Sequence, residues 1–220
     1  AQMKKAFTLA EVLITLGIIG VVAAMTLPQI VHNYKKQEVE AKLKKFYTTM
    51  SQAVKLSELE NGPAYYWSKS PRIDDGNGGN AGNREGVLAF YNTYLAKYLK
   101  KTTEIDNGGT TIDIMFADGS KIKLSSGYCL DINFDYNGQK APNTLGVDMF
   151  DFLLCTEEGY NAGLLRNKEM PFDAYFPGCG RTGCTRTQLL NECKSNPLYC
   201  SGLLMYDGWE IKDDYPYKLK

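Results

Sequence analysis

The feature that most constrains this chain is an uncharged run near its N-terminus. The 20 residues Val12–Val31 carry no charged side chain. As a helix they would be about 30 Å long, which is enough to cross the hydrocarbon core of a bilayer. Glu11 directly precedes the run, although a carboxylate in hydrocarbon costs several kcal/mol unless it is paired or neutralised. Any fold for this chain must therefore accommodate an apolar helix and account for the carboxylate of Glu11 beside it.

Three interpretations of this segment compete. A secretory signal peptide could be cleaved after Val22-Ala23-Ala24, but the apolar run continues past that point and exceeds the usual length of such a signal. A plain membrane anchor, with Lys4 and Lys5 holding the N-terminus in the cytoplasm, leaves Glu11 unexplained. The third interpretation explains Glu11 through a resemblance to a known family.

The stretch Ala6-Phe7-Thr8-Leu9-Ala10-Glu11 resembles the class III signal of type IV pilins and of the pseudopilins of type II secretion. The resemblance implies that a prepilin peptidase cuts between Ala6 and Phe7, that the new amine of Phe7 is methylated, and that Pro28 kinks the helix. It also implies that Glu11 pairs with the amine of a neighbouring subunit. An apolar bundle has no axial register of its own, so one buried ion pair can set it. The alternative is that Glu11 reaches the head groups without a partner.

The same resemblance implies an α+β, pilin-like fold. A long N-terminal α-helix, membrane-spanning in its first half, would pack on a small antiparallel β-sheet, followed by a disulfide-stapled C-terminal loop region. We expect a leader at residues 1–6 that is removed on processing and a transmembrane and assembly half of the helix at 7–31. The amphipathic second half would span 32–60, and the globular head 61–220.

Helical spacing supports the amphipathic half. Apolar residues recur in steps of four and three and should pack on the sheet: Val39, Leu43, Phe46, Met50 and Ala53. Asn61-Gly62-Pro63 should end the helix. A second helix is expected from about Glu85 to Lys100, and a hairpin from Gly108 to Lys123. Its apolar residues share one face only if the turn has an odd number of residues, such as Asp118 to Ser120.

The stretch between Cys129 and Cys155 predicts a second hairpin. Apolar residues alternate with polar ones on both sides of a Gly/Pro/Asn-rich turn. Centring the hairpin near Pro142 places both apolar sets on one face and puts Cys129 directly opposite Cys155 on the other. We therefore predict a cross-strand disulfide between them.

The remaining cysteines, Cys179, Cys184, Cys193 and Cys200, lie in a Gly-rich tail. Six cysteines in a chain with an export segment indicate disulfides, whereas zinc sites usually need two short pairs and only Cys179 to Cys184 is short. Spacing favours the local pairs Cys179–Cys184 and Cys193–Cys200, but other connectivities stay open.

The second hairpin also gathers polar side chains on its outer face. Oxygen-rich clusters suit calcium, and the pattern partly matches a calcium loop, although it lacks a glutamate at the twelfth position. The alternative is a solvated polar face. The candidate calcium ligands are Asp131, Asn133, Asp135, Asn137 and Asp151; no cofactor is otherwise required.

The composition argues against an enzyme and against a nucleic-acid-binding protein. The only histidine is His32, no phosphate-binding glycine loop precedes a helix, and 25 Lys+Arg balance 25 Asp+Glu. The resemblance instead implies a structural filament subunit, a bacterial inner-membrane precursor that later joins an extracytoplasmic filament in the periplasm or at the cell surface. Its partners would be copies of itself or other pilins, the prepilin peptidase and an inner-membrane assembly platform. The alternatives are a membrane-tethered binding module that does not polymerise, or a DNA-uptake pseudopilin.

Overall fold

The computed structural model describes residues 8–69, 83–105, 109–165, 167–176 and 178–219, and within the first strand the side chains of Thr103 and Glu104 only. The helices in chain order are α1 (Leu9–Asn61), α2 (Arg84–Tyr94), α3 (Glu157–Asn161), α4 (Gly180–Gly183), α5 (Arg186–Ser195) and α6 (Cys200–Tyr206). Two 3-10 turns accompany them, Ala64–Tyr66 and Pro197–Tyr199. Residues 70–82, between the first two helices, lie outside the described residues.

Helix α1 is continuous over 53 residues and therefore about 80 Å long. It begins after Thr8, whose side chain caps it, and ends at Asn61 because Gly62 adopts a φ of 75° and Pro63 cannot continue a helix. The C-terminal end agrees with the prediction from the sequence.

The strands form one six-stranded antiparallel sheet in the order of the chain. They are β1 (Lys101–Ile105), β2 (Ile112–Phe116), β3 (Lys121–Ser126), β4 (Leu130–Asp135), β5 (Met149–Leu154) and β6 (Phe172–Ala174). Each strand pairs with the next, which is the pattern of a meander. The two edge strands, β1 and β6, are not predicted from the sequence.

The turn between β2 and β3 has an odd number of residues, as predicted. Phe116 N–H donates to the carbonyl of Ser120 at 2.9 Å, which closes a three-residue loop over 117–119. Gly119 takes a φ of 79° there. The loop thus begins one residue earlier than Asp118, and Ile114 pairs with Ile122 on the buried face.

The hairpin of β4 and β5 has the predicted register. Asp131 lies opposite Leu153, and Asn133 lies opposite Asp151. The apolar side chains of both strands consequently face α1.

The main core fills the space between α1 and the inner face of the sheet. Phe46 is 5% exposed and its ring stacks on Phe134 at 4.1 Å between centroids. The same ring meets Phe152 at 5.0 Å and Phe172 at 6.2 Å. The predicted apolar stripe of α1 is therefore core, which confirms the α+β pilin-like arrangement.

Two elements differ from the prediction. Helix α2 ends at Tyr94 instead of continuing to Lys100, because β1 begins at Lys101 and the chain must first turn; that turn buries Leu95 and Leu99. The C-terminal region, expected as a disulfide-stapled loop region with a possible short helix at Thr185 to Cys193, contains three helices. Helices α4, α5 and α6 form there, and a capping box of Thr185 with Gln188 starts α5.

Candidate functional site

The first half of α1 packs against nothing else in the described part of the chain. Among the described residues, α1 is the one helix long and apolar enough to cross a membrane, and its most apolar window is unburied. Leu13 and Ile18 are each 60% exposed. In water this much exposed apolar surface would be strongly unfavourable, so this half of the helix needs lipid or other helices around it.

Glu11 closes a capping box at the start of this helix. Its carboxylate accepts hydrogen bonds from Thr8 N at 2.9 Å and from Thr8 Oγ1 at 2.8 Å. In return, Glu11 N–H donates to Thr8 Oγ1 at 3.3 Å. These bonds hold the carboxylate at the helix N-terminus, where the backbone dipole favours a negative charge. The predicted processing residues, Ala6 and Phe7, lie outside the described residues.

Two threonine hydroxyls inside the apolar segment are satisfied locally. The hydroxyls of Thr15 and Thr26 donate to the carbonyls of Val12 and Val22 at 2.9 and 3.0 Å. Pro28, the predicted helix-kinking residue, lies within α1, which continues past it. Hydrocarbon offers no partner to a free polar group, so these internal bonds suit a membrane-embedded helix.

Three disulfides join the six cysteines in the pairs that register and spacing favour. Cys129 and Cys155 face each other with Cα atoms 4.3 Å apart, beside a small second core around Leu153 on the outer side of the sheet. Cys179–Cys184 encloses α4, and Cys193–Cys200 ties α5 to α6. Within the described residues no cysteine is free.

The predicted calcium ligands do not form one site. Asp131 and Asp135 are four positions apart on β4, so their Cα atoms are about 13 Å apart. Two short aspartate side chains on the same face of a strand cannot span that gap to one calcium ion, whose ligand oxygens lie within about 5 Å of each other. Asp135 instead accepts a hydrogen bond from Asn137 N at 3.1 Å in the turn region. Among the described residues, no group of three or more His, Cys, Asp or Glu side chains could hold a metal ion.

The other three predicted ligands, Asp131, Asn133 and Asp151, form a half-buried cluster, so the alternative of a solvated polar face does not describe them. Asn133 Nδ2 donates to Asp151 Oδ1 at 3.1 Å. Burial, together with the charge of Asp151, raises the pKa of Asp131 to about 7. Burial also raises the pKa of Asp151 to about 6. Tyr175 lies over this face, since it packs on the outer core around Leu153 and interacts electrostatically with Asp131 and Asp151. Ser201 Oγ holds this segment in place, because it accepts from Tyr175 N and donates to the carbonyl of Asp151.

Several organising residues were missed by the sequence reasoning. Asp148 is 1% exposed and accepts from Asn143 N at 2.8 Å and from Thr144 N at 2.5 Å, which fixes the β4–β5 connection. Lys69 Nζ pairs with Glu158 at 3.0 Å and donates to the carbonyl of Gly127 at 2.8 Å. The position of Asp148 shortly after Asn143-Thr144 could have indicated its role in the turn. Nothing in the sequence indicates that Lys69 lies beside the end of β3.

Arg186 anchors the C-terminal segment, residues 207–219, to α5. Its guanidinium contacts the carboxylates of Asp207 and Asp214, each at 2.7 Å. Further along, Tyr215 and Tyr217 donate to the carbonyls of Gly146 and Cys193 at 2.7 and 3.2 Å. Trp209 is 8% exposed. The terminal aromatics therefore pack, and do not form an exposed cluster.

Comparisons with known proteins agree with this arrangement. Residues 29–219 match a family described as a family of unknown function (DUF6613). Residues 2–27 match the prokaryotic N-terminal methylation motif. Neither the curated proteins nor the solved structures gave a match. Since the first match covers most of the chain, the protein belongs to the DUF6613 family, and its N-terminus carries the class III signal of type IV pilins and pseudopilins.

Proposed function

We propose that this protein is a structural subunit of a type IV pilus or of a type II secretion-like filament. The precursor sits in the bacterial inner membrane with its head outside the cytoplasm. A prepilin peptidase then removes the leader before Phe7, and an inner-membrane assembly platform moves the subunit into a filament of pilins.

The observation that carries the proposal is an apolar half-helix that has one carboxylate at its start and no packing partner among the residues that the structure describes. Leu13, Ile18 and their neighbours are exposed along the whole segment. Lateral packing of copies would bury this surface, and Glu11 would then exchange its bond to Thr8 for the amine of Phe7 on a neighbour. Removing one partner of a buried ion pair costs about 3–5 kcal/mol.

The first test is N-terminal sequencing and intact mass of the native protein. Cleavage before Phe7 with one added methyl group is expected, with three disulfides in the same molecule. An uncleaved chain would contradict the filament proposal and favour a membrane-tethered module that does not polymerise.

The second test compares Glu11→Gln with Glu85→Gln, a matched change of an exposed carboxylate in the head. Glu11→Gln should be inserted and cleaved normally but should yield few or no filaments in shear fractions and electron micrographs. Glu85→Gln should assemble like the parent. Normal filaments from Glu11→Gln would refute the pairing.

Calcium binding stays a prediction, now restricted to Asp131, Asn133 and Asp151. Titration calorimetry with calcium near 1 mM, roughly the weak end of protein sites, decides it. No heat at that concentration would reject a calcium site. DNA uptake is a separate alternative, and gel-shift binding with a steep salt dependence would support it.

A further inference from the structure

A polar groove lies where the head approaches the membrane. This basal groove has a volume of about 660 Å³ and is lined by Asn33, Lys36 and Glu40 of α1 and by Glu210, Lys212 and Asp213 of the C-terminal segment. Its walls are held together, because Ile211 N–H donates to Glu40 Oε1 at 2.8 Å and the Ile211 side chain is 6% exposed. The groove is thus a fixed feature of the head.

The position of the groove relative to the membrane follows from the continuity of α1. The uncharged run ends at Val31, and α1 rises by ~1.5 Å per residue, so Asn33 lies about 3 Å and Lys36 about 7.5 Å beyond the run. The head-group layer on each side of a bilayer is about 5–8 Å thick. Tyr34, at the same level, is 68% exposed, and tyrosine is enriched in this interfacial layer. The inner end of the groove therefore lies among lipid head groups.

The groove holds unpaired charges of both signs. In the described parts of the chain, the ammonium group of Lys36 and the carboxylates of Glu210 and Asp213 have no hydrogen-bond or ion-pair partner. Lys212 pairs with Asp207 at 3.0 Å, and Glu40 accepts from Ile211 N. One cation and two anions therefore face the groove and can pair with an external ligand.

A ligand with a phosphate and a primary ammonium group matches these charges. Lys36 can bind the phosphate, and the two carboxylates can accept N–H bonds from the ammonium. A phosphoglycerol head group has no cation for the carboxylates, and a phosphocholine head group has a cation without N–H donors. The chemistry therefore selects phosphoethanolamine.

We propose that the basal groove binds the phosphoethanolamine head group of a membrane lipid in the leaflet that the head faces. The phosphate contacts Lys36, and the ammonium group lies between Glu210 and Asp213. This contact orients the head on the membrane before the subunit is extracted. The inference rests on the membrane-anchored precursor proposed above.

The test uses the full chain in lipid nanodiscs that contain equal parts of phosphatidylethanolamine, phosphatidylcholine and phosphatidylglycerol. Native mass spectrometry then counts the lipids that stay bound to the released protein. We expect phosphatidylethanolamine to exceed each of the other two by about tenfold, the effect of roughly one charge-assisted hydrogen bond.

Three variants separate the groove from general lipid adhesion. Glu210→Gln/Asp213→Asn should abolish the preference for phosphatidylethanolamine. Lys36→Gln should lower the retention of all three lipids, because they share the phosphate. Glu169→Gln, an exposed carboxylate elsewhere on the head, should behave like the parent. Circular dichroism and thermal melting should show the same fold in all four proteins.

Equal retention of phosphatidylethanolamine and phosphatidylcholine by the parent would overturn the inference, as would a preference that survives in the double variant. A preference for phosphatidylglycerol would mean that lysines attract anionic lipids in general, and it would also overturn the inference. Cross-linking of two copies through the groove without lipid would assign it to a second subunit. A chain that never enters nanodiscs would refute the membrane-anchored precursor itself, whereas entry without selectivity refutes only the head-group site.

Discussion

Replacing Asp131 by asparagine should stabilise the head at neutral pH. Burial and the Asp151 carboxylate raise the pKa of Asp131 from 3.8 to about 7. The folded state therefore binds a proton more tightly than the unfolded state, so the penalty of this group is absent below about pH 4. It grows as the pH rises towards 7.

The size of the effect follows from this pKa. A rise from 3.8 to about 7 corresponds to about 4 kcal/mol at pH 7.5. Asp131 keeps some solvent contact, which screens its charge and reduces the penalty. We therefore expect Asp131→Asn to add about 1–3 kcal/mol to the free energy of unfolding at pH 7.5, and much less at pH 4.

Guanidinium unfolding of the full chain in a mild detergent with EDTA provides the measurement. Trp67 and Trp209, which are 4% and 8% exposed, report on the head by fluorescence. Glu169→Gln is the matched control and should change stability little at either pH. A destabilised Asp131→Asn variant at pH 7.5, or a gain that is equal at pH 4 and pH 7.5, would refute the reasoning.

Three further predictions use the same assay. Phe46→Leu should lower the free energy of unfolding by about 2 kcal/mol, because three aromatic contacts of the ring are lost. Tyr206→Leu changes a half-exposed ring and should lower it hardly at all. Similar losses in the two variants would contradict the assignment of Phe46 to the core. Replacing both Cys129 and Cys155 by alanine should cost about 3.5 kcal/mol, the loop-closure term for their separation of 26 residues, and a loss below about 1 kcal/mol would contradict it. Gly159→Ala should cost about 1–3 kcal/mol, because its Cβ would lie 2.9 Å from Cys155 Sγ; the cost should shrink in the variant without this disulfide, and equal costs in both backgrounds would exclude the clash.

The sequence predicted best those features that depend on local periodicity. The alternation on both sides of Pro142 was enough to place Asp131 opposite Leu153, since a slip of one residue would turn every apolar side chain outward. The 3.6-residue spacing likewise identified Phe46 and its neighbours as core. Both signals belong to one continuous stretch of chain.

Features created by distant segments could not be predicted in the same way. Strand β6 has only three residues, and it exists because Phe172 and Ala174 complete the edge of a sheet that is already formed. Asp131 is covered by Tyr175, which comes close to it only in the folded chain. The local alternation of carboxylates in the sequence is therefore also compatible with a solvated face, and it gives no sign of this burial.

The unbroken course of α1 makes it a rigid lever between membrane and head. No loop interrupts the helix between Val31 and the first core residue, Val39. Deleting one residue there would turn the head by about 100° around the helix axis and draw it about 1.5 Å closer to the bilayer. Deleting seven residues would nearly restore the original orientation of the head but would place it about 10 Å closer to the bilayer. The number of residues between Val31 and Val39 therefore sets the rotation of the head around the helix axis, and with it the surfaces that the head presents to its neighbours.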